Sequence, residues 1–190
     1  ANHLQADQPL PEFFWTGDTD MACLRDVLQQ TLQHGYAHHI QRLMVLGLYG
    51  LLAGVKPQAM ADWFLAIYVD AVEWVELPNV AGMALYASGG RFTSKPYAAS
   101  GAYIQRMSNH CKGCRYDPKQ RTGDNACPYT TLYWAFLDRH EAELAASPRT
   151  ALMVKNLQRL SAEERQAIRA HATQVIQASM PRPCHPGAIT

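Results

Sequence analysis

Pro57-Gln-Ala-Met60-Ala-Asp-Trp63-Phe64-Leu65-Ala-Ile67-Tyr68-Val69-Asp70-Ala-Val72-Glu-Trp74-Val75 is apolar on nearly every face at helical spacing. A helix without a polar face belongs at the centre of a helical domain, so residues 57–75 read as a buried helix. Asp70 interrupts it. An ionised carboxylate in such a place is costly unless it is paired. Arg42 lies midway along the preceding apolar segment, beside Ile40 and Leu43-Met44-Val45. The short connection between the two segments favours antiparallel packing, which brings Arg42 to Asp70. Such a pair either holds the core or lines a cofactor pocket, and the spacing leaves both readings open.

Working outward, the punctuation is helical throughout. Asp18, Thr19 and Asp20 offer caps for a helix from about 21 to 33, with Gly35 as its stop. A second helix spans about 36–53 and ends at Gly54. Residues 82–95 hold three glycines and then Lys95-Pro96, which reads as loop, and a short helix covers about 100–109. Pro128 suits the first position of a helix to about 146, and Ser147-Pro148 starts another. Ser161-Ala-Glu-Glu164 is a capping box for a last helix to about 179. No run of strict alternation reads as a strand and nothing repeats. The fold class is all-α, with residues 1–180 as one domain and 181–190 as a flexible tail.

Composition sets the outer bounds. The 190 residues are 48% hydrophobic and 17% charged, which excludes a disordered chain. Seventeen Lys+Arg against 16 Asp+Glu give a net charge of +1, which excludes a histone-like basic binder. No apolar run approaches the roughly 18 residues that a membrane span needs, and no signal peptide is visible at the start. The odd cysteine count, without a secretion signal, argues against a disulfide framework and for a reducing cytosol.

Three of the five cysteines fall in one irregular loop: Cys111-Lys-Gly-Cys114, then twelve residues, then Cys127. A CxxC turn aims two sulfurs at one metal, and the loop brings in a third. Cys23 is the candidate fourth ligand, and Cys184 lies in the tail as a free thiol. Spacing alone favours a zinc staple over iron–sulfur, although the Cys127-Pro128 pair is common at iron–sulfur ligands. His38-His39, one turn before Arg42, add candidates for acid–base chemistry. Trp15, Trp63, Trp74 and Tyr103 are core aromatics by default.

Several segments together have a specific likeness. They are Phe14-Trp-Thr-Gly17, His34-Gly-Tyr-Ala-His-His-Ile-Gln-Arg-Leu-Met-Val45, Trp63-Phe64, Asp70-Ala-Val-Glu-Trp-Val-Glu-Leu-Pro-Asn79, Gly82-Met83, Lys95-Pro-Tyr97, Gly101-Ala-Tyr-Ile104 and the cysteine loop. In this order they resemble the C-terminal part of the photolyase/cryptochrome family, in its iron–sulfur bacterial (6-4) photolyase-like branch, over about residues 11–160. The resemblance implies a helical FAD-binding domain. It implies that Cys23, Cys111, Cys114 and Cys127 ligate a 4Fe–4S cluster, against the preference for zinc that spacing gave.

The resemblance also carries roles. Arg42 and Asp70 match the ion pair against the flavin ring, Glu76 the position facing flavin N5, and Asn79 a further flavin contact. Trp63 resembles the flavin-proximal member of a photoreduction chain, with Trp15 as relay and Tyr103 as an alternative. His38 and His39 match the lesion-facing histidine region, with His39 as proton donor and Tyr97 and Met83 as further lesion-pocket candidates. Leu43 stands where the animal-type pattern has a second histidine.

The expected activity is light-driven repair of UV-induced (6-4) pyrimidine photoproducts in DNA by electron transfer from reduced flavin. A blue-light photoreceptor without repair and a metal-stapled helical nucleic-acid-binding domain are the competing readings. The family's N-terminal antenna domain, with its chromophore, is absent, so the chain is expected to be a C-terminal fragment, inactive alone. It would belong to a monomeric protein of the bacterial cytoplasm. Arg91, Lys95, Arg106, Lys112, Arg115, Lys119 and Arg121 make the middle of the chain basic, which suits damaged DNA as partner or a solvated face.

Overall fold

The structure is a computed structural model that describes residues 2–70, 84–86 and 96–180. Glu76, Asn79, Met83, Trp74, Arg91, Lys95 and Cys184 lie outside the described residues, as do most of the expected 82–95 loop and the 181–190 tail.

The described residues form helices without a named strand, so the fold is all-α. In chain order they are α1 (Phe13–Thr16), α2 (Ala22–His34), α3 (His39–Gln41), a π-helix (Arg42–Gly47), α4 (Leu48–Ala53) and α5 (Pro57–Ile67). After the gap come α6 (Gly101–Met107), a 3-10 turn (His110–Lys112), α7 (Pro128–Arg139), α8 (Glu141–Ala145), α9 (Ala151–Leu157) and α10 (Ala162–Ser179). No helix among the described residues is long and apolar enough to cross a membrane.

Side chains that exclude water centre on Trp63, Tyr49, Tyr129, Phe14, Phe64 and Phe136, packed among leucines of α2, α4 and α7. Their rings meet edge to face: Phe14 with Trp63 at 5.1 Å, Tyr49 with Tyr129 at 5.8 Å and Phe13 with Tyr49 at 5.2 Å. These are the distances that aromatic quadrupoles favour. Helix α7 packs on both α4 and α10, and α2 packs on the π-helix. On the α7–α10 seam Asp138, 8% exposed, accepts from Arg165 Nε at 2.5 Å and from Arg169 Nη1 at 2.7 Å.

Three expected helices differ in the structure. Residues 36–53 are not one helix. The His38 ring caps α3 by accepting from the Ile40 amide at 3.3 Å, while Gln41 Oε1 accepts from the His38 amide. One residue more per turn then widens the ladder into the π-helix, a form that recurs at functional sites. Residues 57–75 are not one helix either. Helix α5 stops at Ile67, and Tyr68 turns extended. Gly35 is the reason: it ends α2 at φ 62° and its carbonyl accepts from the Val69 amide at 3.0 Å. A Cβ there would stand 2.7 Å from Val69 Cγ1, so only glycine allows this docking. Helix α5 also has a wet face at Gln58, Asp62 and Ala66, and is therefore not buried all round.

The third is residues 128–146, which break at His140 into α7 and α8. The cap of α2 is Met21, with no side-chain bond, rather than Asp18, Thr19 or Asp20. The capping box at Ser161 and Glu164 forms as its spacing requires, with bonds of 3.0 and 3.1 Å.

A four-cysteine cavity and an arginine–aspartate pair

Cys23 sits in the first turn of α2, Cys111 in the 3-10 turn, Cys114 just beyond it, and Cys127 caps α7. All four border a single cavity, together with His110 and Tyr129. The loop that carries them is tied down at both ends. Asp117 donates its amide to Asn125 at 2.7 Å, and its carbonyl accepts from Cys127 at 3.1 Å. Thr130 Oγ1 donates to the Pro118 carbonyl and Thr131 Oγ1 to the Arg121 carbonyl, each at 2.7 Å. Arg115 reaches Asp20, before α2, at 2.9 Å. Gly101 presses on the same place, where a Cβ would lie 2.8 Å from Cys127 Sγ.

Burial in this packing favours the neutral form of three of these thiols, Cys23, Cys111 and Cys127. Burial, and then the neighbouring Cys127, push Cys23 up to about 12. Burial pushes Cys127 up to about 11, against the opposing amides of Thr130 and Tyr129 at the start of α7. Burial and Cys114 raise Cys111. Metal ligation requires the loss of these protons, and a bound cation supplies the charge that makes the loss favourable. Among the described residues no three His, Cys, Asp or Glu side chains lie close enough to hold a single metal ion. The four thiols border one cavity, and a set of four cysteines is chemically suited either to one zinc ion or to an iron–sulfur cluster.

Arg42 and Asp70 meet, as the sequence predicted, but not mid-helix. Arg42 Nη2 donates to both carboxylate oxygens, at 2.8 and 2.9 Å, and Nε donates to the Ala37 carbonyl at 2.8 Å. The guanidinium lies 3.9 Å from the centre of the Tyr68 ring and 5.2 Å from that of Tyr36. Arg42 is buried, whereas the Asp70 side chain is 48% exposed, because it follows the end of α5. The pair is thus half-wet rather than buried. One cation-holding end is fixed and one carboxylate face is open.

The other candidate residues scatter. Trp63 is sealed in the core with its Nε1 unpartnered, and touches Phe14, Phe64 and Tyr68. Tyr68 joins it to the Arg42 pair. Trp15 is 55% exposed and makes no ring contact among the described residues. His38 spends its ring on the α3 cap, and His39 beside it is exposed. Tyr97 is partly exposed. Tyr103 borders a second, apolar cavity with Ile40, Met44 and Met107, and Arg106 stands over its ring. Of the basic residues described, Arg115 is paired with Asp20, and Arg121 lies 3.7 Å from Glu164 and over Trp134. Lys112 and Lys119 are exposed.

Two residues at the cysteine cavity were not singled out from the sequence. Tyr129 donates its hydroxyl to the Val45 carbonyl of the π-helix at 2.8 Å, which links the cavity to the segment carrying Arg42. His110 contacts Asp26 through Nε2 at 2.9 Å, while its Nδ1 is buried without a partner. Its only signal in the sequence is its place directly before Cys111.

No family model matches the chain. Over 172 residues, 90% of its length, it is 51% identical to a protein of Agrobacterium fabrum named (6-4) photolyase, and spans 34% of that protein. Over 55 residues it is 40% identical to an uncharacterized protein of Acanthamoeba polyphaga mimivirus, covering 29% of this chain and 45% of that one. The chain thus spans about a third of the photolyase that it resembles.

Proposed function

We propose that the chain is the C-terminal part of the helical FAD-binding domain of a photolyase/cryptochrome-family protein. The intact protein would be a light-driven DNA photolyase that repairs UV-induced (6-4) pyrimidine photoproducts. The observation that carries this is the 51% identity to a (6-4) photolyase over 90% of the chain. The Arg42–Asp70 contact supports it, because two residues that the resemblance pairs against a flavin ring do meet.

When bound, reduced FAD supplies the excited-state electron that reaches the lesion. This chain's residues hold and isolate that chemistry. Arg42, fixed by Ala37 and stacked on Tyr68, orients Asp70 at the flavin edge. Glu76 and Asn79 contribute further flavin contacts, with the Glu76 carboxyl accepting or donating at N5 according to its protonation. Trp63, dry and ringed by aromatics, is the proximal relay, with Trp15 at the surface and Tyr103 as an alternative outlet. His39, exposed beside its capping neighbour His38, gives the lesion its proton, and Tyr97 assists. Cys23, Cys111, Cys114 and Cys127 hold a 4Fe–4S cluster, in keeping with four thiols around one cavity. Damaged DNA binds through the basic middle of the chain, where Arg106, Lys112 and Lys119 are exposed, in a monomer of the bacterial cytoplasm.

The test uses an intact protein containing this chain, loaded with FAD, and a synthetic duplex carrying one (6-4) photoproduct. Blue light should restore the duplex in the parent, and the His39→Ala variant should retain bound FAD while losing repair. A loaded, photoreducible parent that leaves the lesion untouched would refute the repair reading.

A further inference from the structure

We propose that Arg182, in the segment that follows α10, seats in the cavity at the end of that helix and pairs with Asp18. The inference is independent of what the cysteines and the Arg42–Asp70 pair hold. A cavity of about 350 Å³ lies where the connection between α1 and α2 meets the end of α10. Its lining is of two kinds. Phe13, Met21 and Val175 are apolar, which suits the methylene stem of a long side chain. Asp18 and Asp20 border the same cavity, and Asp20 already holds Arg115 at 2.9 Å. Asp18 is exposed, and its carboxylate has no ion pair among the described residues. An arginine matches both kinds of lining, with its stem on apolar surface and its planar fork on a carboxylate. The C-terminal end of α10, a helix of 18 residues, adds partial negative charge at the same place.

The path of the chain brings Arg182 there. Ser179, the last residue of α10, borders the cavity, and its carbonyl accepts from the Glu12 amide at 3.3 Å. The end of α10 is thus pinned to the start of α1. Met180 leaves the helix in extended backbone, at φ −69° and ψ 148°. The sequence continues Pro181-Arg182-Pro183. A residue before proline is disfavoured in the helical region, so Met180 and Arg182 are both biased to extended backbone and a helix does not resume. Three residues of extended chain span about 10 Å, so Arg182 starts within side-chain reach of the cavity that Ser179 borders. Two flanking prolines also lower the entropy lost when the arginine is fixed. Residues 181–190 contain this single Arg or Lys and no Asp or Glu, so nothing else in the segment competes for Asp18 or repels it.

The test reads backbone order in the full chain by nitrogen-15 relaxation. In the parent the Arg182 amide should show the heteronuclear NOE of the α10 amides. That value should fall to the level of Thr190 in Asp18→Asn and in Arg182→Gln, and the double variant should fall no further. Asp18→Glu, which keeps the carboxylate, should retain the order. The parent in about 1 M salt, where the screening length is about 3 Å, should lose it. The amides of the Ser161–Glu164 capping box, unchanged in every variant, report that the chain stays folded. An Arg182 amide as mobile as Thr190 in the parent, or one that keeps its order in D18N, overturns the proposal. Order that appears only as the chain is concentrated, with a sedimenting mass of two chains, places Arg182 in a second copy and overturns the seat within one chain.

Discussion

Replacing Gly101 by alanine tests whether the α6–α7 contact fixes the cysteine cavity. The new Cβ would stand 2.8 Å from Cys127 Sγ, 2.9 Å from Thr130 Oγ1 and 3.2 Å from Pro118 Cβ. None of the three neighbours can step aside cheaply. Cys127 caps α7, and Thr130 Oγ1 is tied to the Pro118 carbonyl at 2.7 Å while accepting from the Gly101 amide at 3.2 Å. Overpacking of this kind costs about 1–3 kcal/mol. Loss of the Gly101 amide bond adds about 1 kcal/mol, and the helical alanine returns up to about 1 kcal/mol. The expected net loss is about 2 kcal/mol, a factor of roughly 30 in the folding constant and a Tm lower by about 4–8 °C. Gly113, in the same loop, has nothing within 4 Å of its would-be Cβ and no strained φ, so Gly113→Ala is the control. It should be neutral or stabilising by up to about 1 kcal/mol. Chemical denaturation, with thiol accessibility to a disulfide reagent read alongside, measures both. The reasoning fails if G101A unfolds with the parent and its Cys127 is no more reactive, or if G113A is equally harmful.

Three further expectations follow from the seams around the two sites. Burial opposes ionisation of Asp138, but hydrogen bonds from Arg169 and Arg165 outweigh it and hold the carboxyl below its ordinary value of 3.8. Its contribution is therefore present above that value and lost as pH falls through the lower folded one; a Tm-against-pH series should lose that acid limb in Asp138→Asn. Tyr129→Phe strips a hydroxyl donor from the Val45 carbonyl, which keeps the Leu48 amide, at a cost of about 0.5–1.5 kcal/mol; hydrogen exchange should show the amides of the π-helix less protected, and unchanged protection would refute the link. Trp63→Phe removes no hydrogen bond, since Nε1 has none, so it should cost only about 1–2 kcal/mol of stability while slowing flavin photoreduction in the loaded intact protein. Parent-like photoreduction kinetics would remove Trp63 from the relay.

Much of the fold was legible because its signals are local. The Ser161–Glu164 box, Pro128 at the start of α7, and Gly35 and Gly54 at helix ends act within a turn of themselves, and each boundary they mark is found. Two of the misjudged boundaries depend on residues far away in the chain. Helix α5 ends where Gly35, 34 residues earlier, accepts the Val69 amide. The π-helix is held where Tyr129, 84 residues later, bonds Val45. Apolar periodicity cannot report either, because both segments remain apolar whether the backbone is α, π or extended.

The sites divide along the same line. Cysteine spacing located the cavity, and a charge stranded in an apolar run located Arg42–Asp70, since unpaired charge and clustered thiols are improbable without a purpose. The environment of each was not legible. Asp70 reads as buried in a helix, yet it stands half-exposed past a helix end, which makes it available to an outside group. The spacing of Cys111, Cys114 and Cys127 is equally good for one ion or several. What the spacing does not show is that Cys23 joins them, because Gly101 and the tied loop bring all four thiols to one cavity. Tyr129 then gives the two sites a common support. It lines the cavity beside Cys127 and holds the π-helix three residues from Arg42, so a disturbance of the cysteine loop has a one-bond route to the arginine that orients Asp70.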